Sequence, residues 1–199
     1  AEVAVADLDA QRADGVVDDL RLVGAEEQDV AVGGAGALQD LGLDVAYLIT
    51  GAPDAHQADG AAYGAELRST IEELELQDSA FFLGGTTSLS DDDVRGLYAV
   101  SDALLFPSKS EGFGLPVVEA GLHGVPVFCS DIPAHREVGQ CIASYFDLDE
   151  DPALIAHSIT AHPVVLSRTT AVMASKFSVC PALGSPAPVR ATPSMAASP

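Results

Sequence analysis

The chain has 199 residues, 48% of them hydrophobic, with 30 acidic side chains against 9 basic ones and a formal net charge of -21. That length suits one domain of ordinary size with a tail, and the apolar content can fill a real core. So negative a surface repels nucleic acid and anionic membranes, which excludes partners of those kinds. Any phosphate site must then be built locally, from dipoles. Lys109 and Lys176 are the two lysines, a composition that fits either solubility in high salt or the bias of a high-GC genome. Cys129, Cys141 and Cys180 are odd in number and widely spaced. They match no zinc or disulfide pattern and read as buried or free thiols in a reducing compartment. No run reaches the roughly 18 apolar residues of a transmembrane segment, and no charged-then-apolar signal opens the chain, so the cytoplasm is the expected location.

Residues 1–40 hold one helix candidate, Val16–Val23, carrying Leu20, Leu22 and Val23. Strand content there is poor, and Gly33-Gly-Ala-Gly36 follows no convincing strand, so it is no dinucleotide fingerprint. From residue 44 to 160, short apolar runs alternate with amphipathic stretches. Val45–Thr50 predicts a strand closed by Gly51 and Pro53. Residues 62–76 predict a helix, with Tyr63, Leu67, Ile71 and Leu74 spaced by three or four. Ala80–Leu83 predicts a second strand, ended by Gly84 and Gly85. Ser90 to Asp93 reads as a capping box opening a helix whose apolar face is Val94, Leu97 and Tyr98. Its run of three aspartates fits a helix N-terminus better than a metal site, and no metal is expected. Ala103–Phe106 predicts a third strand, stopped by Pro107. A helix follows from near Pro116, a residue suited to the first helical position, and Gly124 ends it. Val127–Cys129 predicts a fourth strand, and a short helix near Ala134–Val138 leads to Ser144–Phe146 and a last helix from about Asp151.

Continuous apolar strands alternating with helices predict an α/β fold, a doubly wound parallel sheet covered on both faces in the Rossmann-like manner. The expected domain runs over residues 1–162, with 1–40 atypical. Residues 163–199, rich in Ala, Ser and Pro as in Pro181–Pro188, are expected to form a low-complexity, loosely structured tail.

The chemistry concentrates in residues 107–119, where Glu111 and Glu119 stand eight positions apart. Gly112 and Gly114 let the backbone turn tightly and approach a ligand with no Cβ in the way. A helix opening just after them leaves N–H groups without intrahelical partners, and their aligned dipoles favour an anion. Glu119, placed on the first turn of that helix, can accept two hydroxyl hydrogen bonds, as a ribose would offer. Glu111 can do the same for a sugar ring or stabilise positive charge developing on it. On spacing alone a plainer account stands beside this one: the glycines make a turn, and the glutamates are solvated or cap the helix. His123 and His135 lack a nucleophile pattern and read as helix-surface or capping residues. Lys109 and Arg136 are nearby bases that could offset a phosphate or simply lie on the surface. Ser108 and Ser110 have no neighbouring base in sequence.

The wider context decides between the accounts. Ser101-Asp-Ala-Leu-Leu-Phe-Pro-Ser108, Glu111-Gly-Phe-Gly-Leu-Pro-Val-Val-Glu-Ala120, Gly124-Val-Pro-Val127, Ser130-Asp-Ile-Pro133 and Arg136-Glu-Val138 occur in that order. This run, within residues 44–150, closely resembles the C-terminal, donor-binding domain of the family 4 (group 1) retaining glycosyltransferases of GT-B fold. The two glutamates match that family's E-x7-E motif. The resemblance implies that Glu111 is catalytic and contacts the transferred sugar, and that Glu119 holds the ribose. It implies that backbone N–H groups of Gly112, Phe113, Gly114 and Leu115 serve the donor's sugar or diphosphate. By the same analogy residues 84–90 lie near the base, and no cofactor is needed beyond the nucleotide-sugar substrate.

Two departures accompany the resemblance. Family members place an Arg and a Lys after the first strand, where they neutralise the diphosphate. Here the corresponding stretch reads as residues 7–15, with Arg12 its one base and Asp7 and Asp14 nearby. Arg12 and Lys109 are thus the candidates for phosphate neutralisation. The family also uses two such domains with the acceptor between them, and the length here fits one, so a separate N-terminal acceptor domain is an expected partner. The expected function is glycosyl transfer from a nucleoside-diphosphate sugar to an unknown acceptor. The alternative is a nucleotide-sugar-binding domain without catalysis, or a truncated, inactive fragment.

Overall fold

The computed structural model describes residues 20–24, 28–50, 58–83 and 89–169. In chain order these form β1 (Leu20–Gly24), α1 (Gln28–Asp40), β2 (Val45–Thr50), α2 (Ala58–Glu73), β3 (Ala80–Leu83), α3 (Asp91–Val100) and β4 (Ala103–Phe106). They continue with α4 (Leu115–Leu122), β5 (Val127–Ser130), α5 (Pro133–Gly139), β6 (Ala143–Phe146), α6 (Pro152–Ala161) and α7 (Pro163–Thr169). The six strands make one sheet in the order β3-β2-β1-β4-β5-β6. Every neighbouring pair is parallel.

Both faces of the sheet are apolar, because successive residues of a strand point to opposite sides and each side is covered by helices. One face takes Leu22, Tyr47, Ile49, Leu105 and Phe128 into a core with α1, α2, α6 and α7. The other takes Val23, Leu104, Phe106, Val127 and Cys129 against Tyr98 of α3 and Val117 and Ala120 of α4. Leu48 and Leu83 close that second face beneath Leu97 and Val100. Cys129 is fully buried, and burial pushes its thiol up to about 12. Cys141 is a free, exposed thiol. Among the described residues, no helix is long and apolar enough to cross a membrane.

The sheet order reverses direction at β1 and β4. Chain segments β1 to β3 wind one way from the centre, and β4 to β6 wind the other. Open parallel sheets bind their ligands in the crevice that such a reversal leaves beyond the carboxyl ends of the central strands. Here that crevice lies at Gly24 and Phe106.

The N-terminal part differs from expectation. Leu20–Gly24 is a central strand rather than the end of a helix, pairing with β2 on one side and β4 on the other. Residues 16–19 lie outside the described residues. Gly33, Gly34 and Gly36 sit inside α1, where they let helices pack closely. A Cβ on Gly33 would lie 3.3 Å from Pro152, and one on Gly34 would lie 3.4 Å from Leu105. At the other end, packed structure runs past residue 162, since α7 buries Val165 completely. Residues 170–199 lie outside the described residues.

The capping box of α3 forms as its sequence predicts. Ser90 accepts from the Asp93 amide at 3.2 Å, and the Ser90 amide donates to Asp93 Oδ2 at 2.9 Å. These bonds hold the Asp93 carboxyl below the usual carboxylate range, chiefly through the Ser90 hydroxyl. Ser90→Ala is expected to lower stability by about 1 kcal/mol at neutral pH in urea unfolding. Because the folded-state carboxyl is depressed, its contribution is present above the ordinary carboxylate range and lost as pH falls through the folded value. The gap between wild type and Ser90→Ala should therefore narrow in acid.

Candidate functional site

The segment 107–119 lies at the reversal point, leaving β4 and entering α4. Two serines stitch its start to the next strand. The buried Ser108 amide donates to Ser130 Oγ at 3.0 Å, and Ser130 Oγ donates back to the Ser108 carbonyl at 2.6 Å. Ser108 Oγ then donates to the Ser110 carbonyl at 3.0 Å. With β4 and β5 joined in this way, the turn that follows starts from a fixed direction.

Gly114 forms the N-cap of α4 with φ +79° and ψ +46°, the left-handed region that glycine adopts without steric penalty. No side chain caps this helix, and Pro116 lies in its first turn. Among the described residues, the amides of Glu111 to Leu115 make no hydrogen bond. A row of free N–H groups at a helix N-terminus, in a domain of this charge, is a local positive field. Phe113 and Leu115 beside it are exposed, at 57% and 58%.

The two glutamates flank that field. Glu111 is half-buried in the turn, and among the described residues it has no hydrogen bond or ion pair. Glu119 is half-buried on the second turn of α4 rather than the first, since the helix starts at Leu115. It is therefore too far along to serve as a helix-end acid, which removes the plain capping account for this residue. Instead Tyr98 Oη donates to Glu119 Oε2 at 3.3 Å. Burial, then the neighbouring Glu119 charge, pushes the Tyr98 phenol well up. Glu119 opens onto a cleft of about 390 Å³ between α3 and α4, lined also by Asp91, Val94, Arg95, Tyr98 and His123. His123 stacks on Tyr98 with ring centroids 5.6 Å apart.

The other candidates fall differently. Arg136 is committed to Asp131 through two 2.6 Å bonds and lies 4.1 Å over the Tyr145 ring. Lys109 is exposed on the turn. His135 is fully buried, so it is neither a surface nor a capping residue. It belongs to a Ser108–Ser130–His135 group under the turn that no spacing in the sequence marks. Arg12 and residues 84–88 lie outside the described residues. Arg12 also precedes β1, so the stretch that follows this strand is Ala25-Glu26-Glu27-Gln28 instead of residues 7–15. It carries two acids and no base.

Comparison with known proteins bears on the family of the chain. Residues 21–140 match the family model for glycosyl transferases group 1. The chain belongs to that family. Among curated relatives, the serotype-specific mannosyltransferase WbdA of Escherichia coli is 46% identical over 85 residues, covering 43% of this chain and 10% of WbdA. The O-antigen chain mannosyltransferase RfbU of Salmonella typhimurium is 37% identical over 89 residues, covering 45% of this chain and 24% of RfbU. The chain thus spans a quarter or less of these relatives.

Solved structures share the fold of this group 1 glycosyltransferase chain. HepE of Anabaena, solved with UDP and glucose, aligns with a TM-score of 0.62 at 21% identity, over 84% of this chain and 46% of HepE. The C-terminal domain of the group 1 protein LpcC from Francisella tularensis aligns with a TM-score of 0.62 at 16% identity, over 84% of this chain and 93% of that domain. These likenesses show the fold, a Rossmann-like α/β domain.

Proposed function

We propose that this chain is the donor-binding half of a retaining glycosyltransferase. It holds a nucleoside-diphosphate sugar in the crevice above β1 and β4 and presents the glycosyl group to an acceptor carried by a second domain. The observation that carries the reading is the pair of half-buried carboxylates on either side of an uncapped helix N-terminus at the sheet's reversal point. The diphosphate sits against the amides of Gly112 to Leu115. Glu119 accepts hydroxyl hydrogen bonds from the ribose, and Glu111 lies against the transferred sugar, where it stabilises positive charge developing at the anomeric carbon. A hexose is the fitting glycosyl group, mannose by likeness to WbdA and RfbU.

Calorimetry with GDP-mannose and UDP-glucose tests this. Wild type should bind one of them, and Glu119→Ala should weaken that binding about 10- to 100-fold, the worth of one or two hydrogen bonds to a charged acceptor. Absence of binding to both donors would sink the proposal. A second reading, donor binding without transfer, is favoured by the acidic Ala25-Glu26-Glu27 stretch where the family keeps bases. It is supported if the donor binds but no transfer appears when a complementary N-terminal domain is supplied.

A further inference from the structure

Beneath the turn, His135 is a buried side chain left, among the described residues, with an open hydrogen-bonding atom. Its Nδ1 lies 2.8 Å from the Ser130 carbonyl. A carbonyl only accepts, so Nδ1 carries the hydrogen and the ring's orientation is fixed. Ser130 Oγ, 3.2 Å from the same nitrogen, already spends its own hydrogen on the Ser108 carbonyl. Phe106 covers one side of the ring at 5.1 Å. Nε2 is buried and, among the described residues, has no partner. That edge of the ring faces Gly114: a Cβ placed there would lie 3.3 Å from Cδ2 and 3.9 Å from Nε2. An unpartnered imidazole nitrogen therefore lies directly under the uncapped start of α4.

The surrounding charges leave room for a cation. On α5, Arg136 is paired with Asp131, just after β5, and Glu137 is exposed. Cys129 of β5 and Tyr145 of β6 are both held towards their protonated, neutral forms by burial. The turn carries Lys109 and Glu111, and α4 carries Glu119 and, at its end, the exposed His123. These side chains sum to a negative charge, while the free amides at the start of α4 disfavour a cation until an anion docks on them, and the segment after β1 supplies no base.

We propose that His135 takes up a proton from solvent as the donor docks, and that the buried imidazolium supplies, from beneath Gly114, the positive charge that the stretch after β1 lacks. It acts as a positioning residue through the backbone of the turn, with Nε2–H as the added donor. This rests on the donor-binding reading above. An anionic ligand favours the protonated ring, so affinity at about pH 6 exceeds affinity at about pH 8. A sugar diphosphate is the right probe because it has no phosphate monoester, the group that itself titrates near pH 6.

The test is calorimetry with GDP-mannose and UDP-glucose at about pH 6 and pH 8, in two buffers of different ionisation heat, with ¹⁵N NMR of the histidine side chains. The expected result is binding about tenfold or more tighter at the lower pH, uptake of a fraction of a proton approaching one, and His135 nitrogens moving to imidazolium shifts on donor addition. His135→Asn, whose amide can keep the bond to the Ser130 carbonyl, should bind with an affinity independent of pH and close to that of wild type at the higher pH. If it does not fold, proton uptake and the wild-type spectrum decide alone. Donor binding without proton uptake and with unmoved His135 signals overturns this proposal and leaves the donor-binding reading standing. Failure to bind either donor at any pH overturns both.

Discussion

Gly24→Ala should destabilise the chain by about 3 kcal/mol, the upper range for forcing one extra methyl into a packed interior. Gly24 ends β1 at the centre of the sheet, paired with Ile49, and its carbonyl accepts from Thr50 Oγ1 at 3.0 Å. A Cβ at this position would lie 2.7 Å from the Leu105 carbonyl oxygen and well inside contact distance of Tyr47 Oη. The two obstacles are unequal. Leu105 belongs to β4, so its carbonyl cannot retreat without moving a central strand. The Tyr47 hydroxyl is a single atom that can be deleted. It is buried, with no partner among the described residues, and burial pushes its phenol far up. Tyr47→Phe alone should therefore shift stability by less than about 1 kcal/mol, in the stabilising direction if at all, because no hydrogen bond is lost. Combined with Gly24→Ala it should restore part of the lost stability and not all of it. Urea midpoints of the four chains measure this directly. A Gly24→Ala midpoint equal to wild type would mean that β1 and β4 are further apart than described.

The strands that were legible in the sequence were those with an uninterrupted apolar signal. Val45–Thr50, Ala80–Leu83, Ala103–Phe106 and Val127–Cys129 each call for extensive burial, which a parallel sheet covered by helices provides. Leu20–Gly24 was not legible, because a five-residue run containing Arg21 is equally good as the last turn of a helix. Its strand state comes from pairing with β2 and β4, which are distant in sequence. The glycine-rich α1 is a similar case: intrinsic propensity is poor, and packing on α6 and β4 decides it. Within the site, the contiguous Glu111–Glu119 segment could be read, since one turn and one helix bring it together. The Tyr98–Glu119 contact spans 21 residues. His135 is tied to Ser130 over five and, through it, to Ser108 over 22. Such contacts depend on how α3 and α5 lie against the sheet, and α5 is too short for periodicity to say which of its residues turn inward. The polar residue with most left to explain was for that reason the one that looked most like surface.

Gly114→Ala should separate the two jobs of the turn. The left-handed φ of +79° costs an alanine about 1–2 kcal/mol, and its methyl would press on His135 Cδ2 at 3.3 Å and Val138 Cγ2 at 3.4 Å. Gly112 provides the contrast, being exposed, with nothing within 4 Å of its Cβ position. Gly112→Ala should hold stability within about 0.5 kcal/mol of wild type. Gly114→Ala should lower it by about 2 kcal/mol in urea unfolding and weaken donor affinity tenfold or more. A milder outcome is expected if the turn relaxes out of the left-handed region, but the amides would then no longer point together. Stability would recover while donor affinity stayed low. Loss of stability with unchanged affinity would instead show that the N-cap shapes the fold and leaves the ligand alone. The turn needs glycine at 114 because one backbone conformation has to free the amides above it and fit the histidine below it. An added methyl cannot satisfy both.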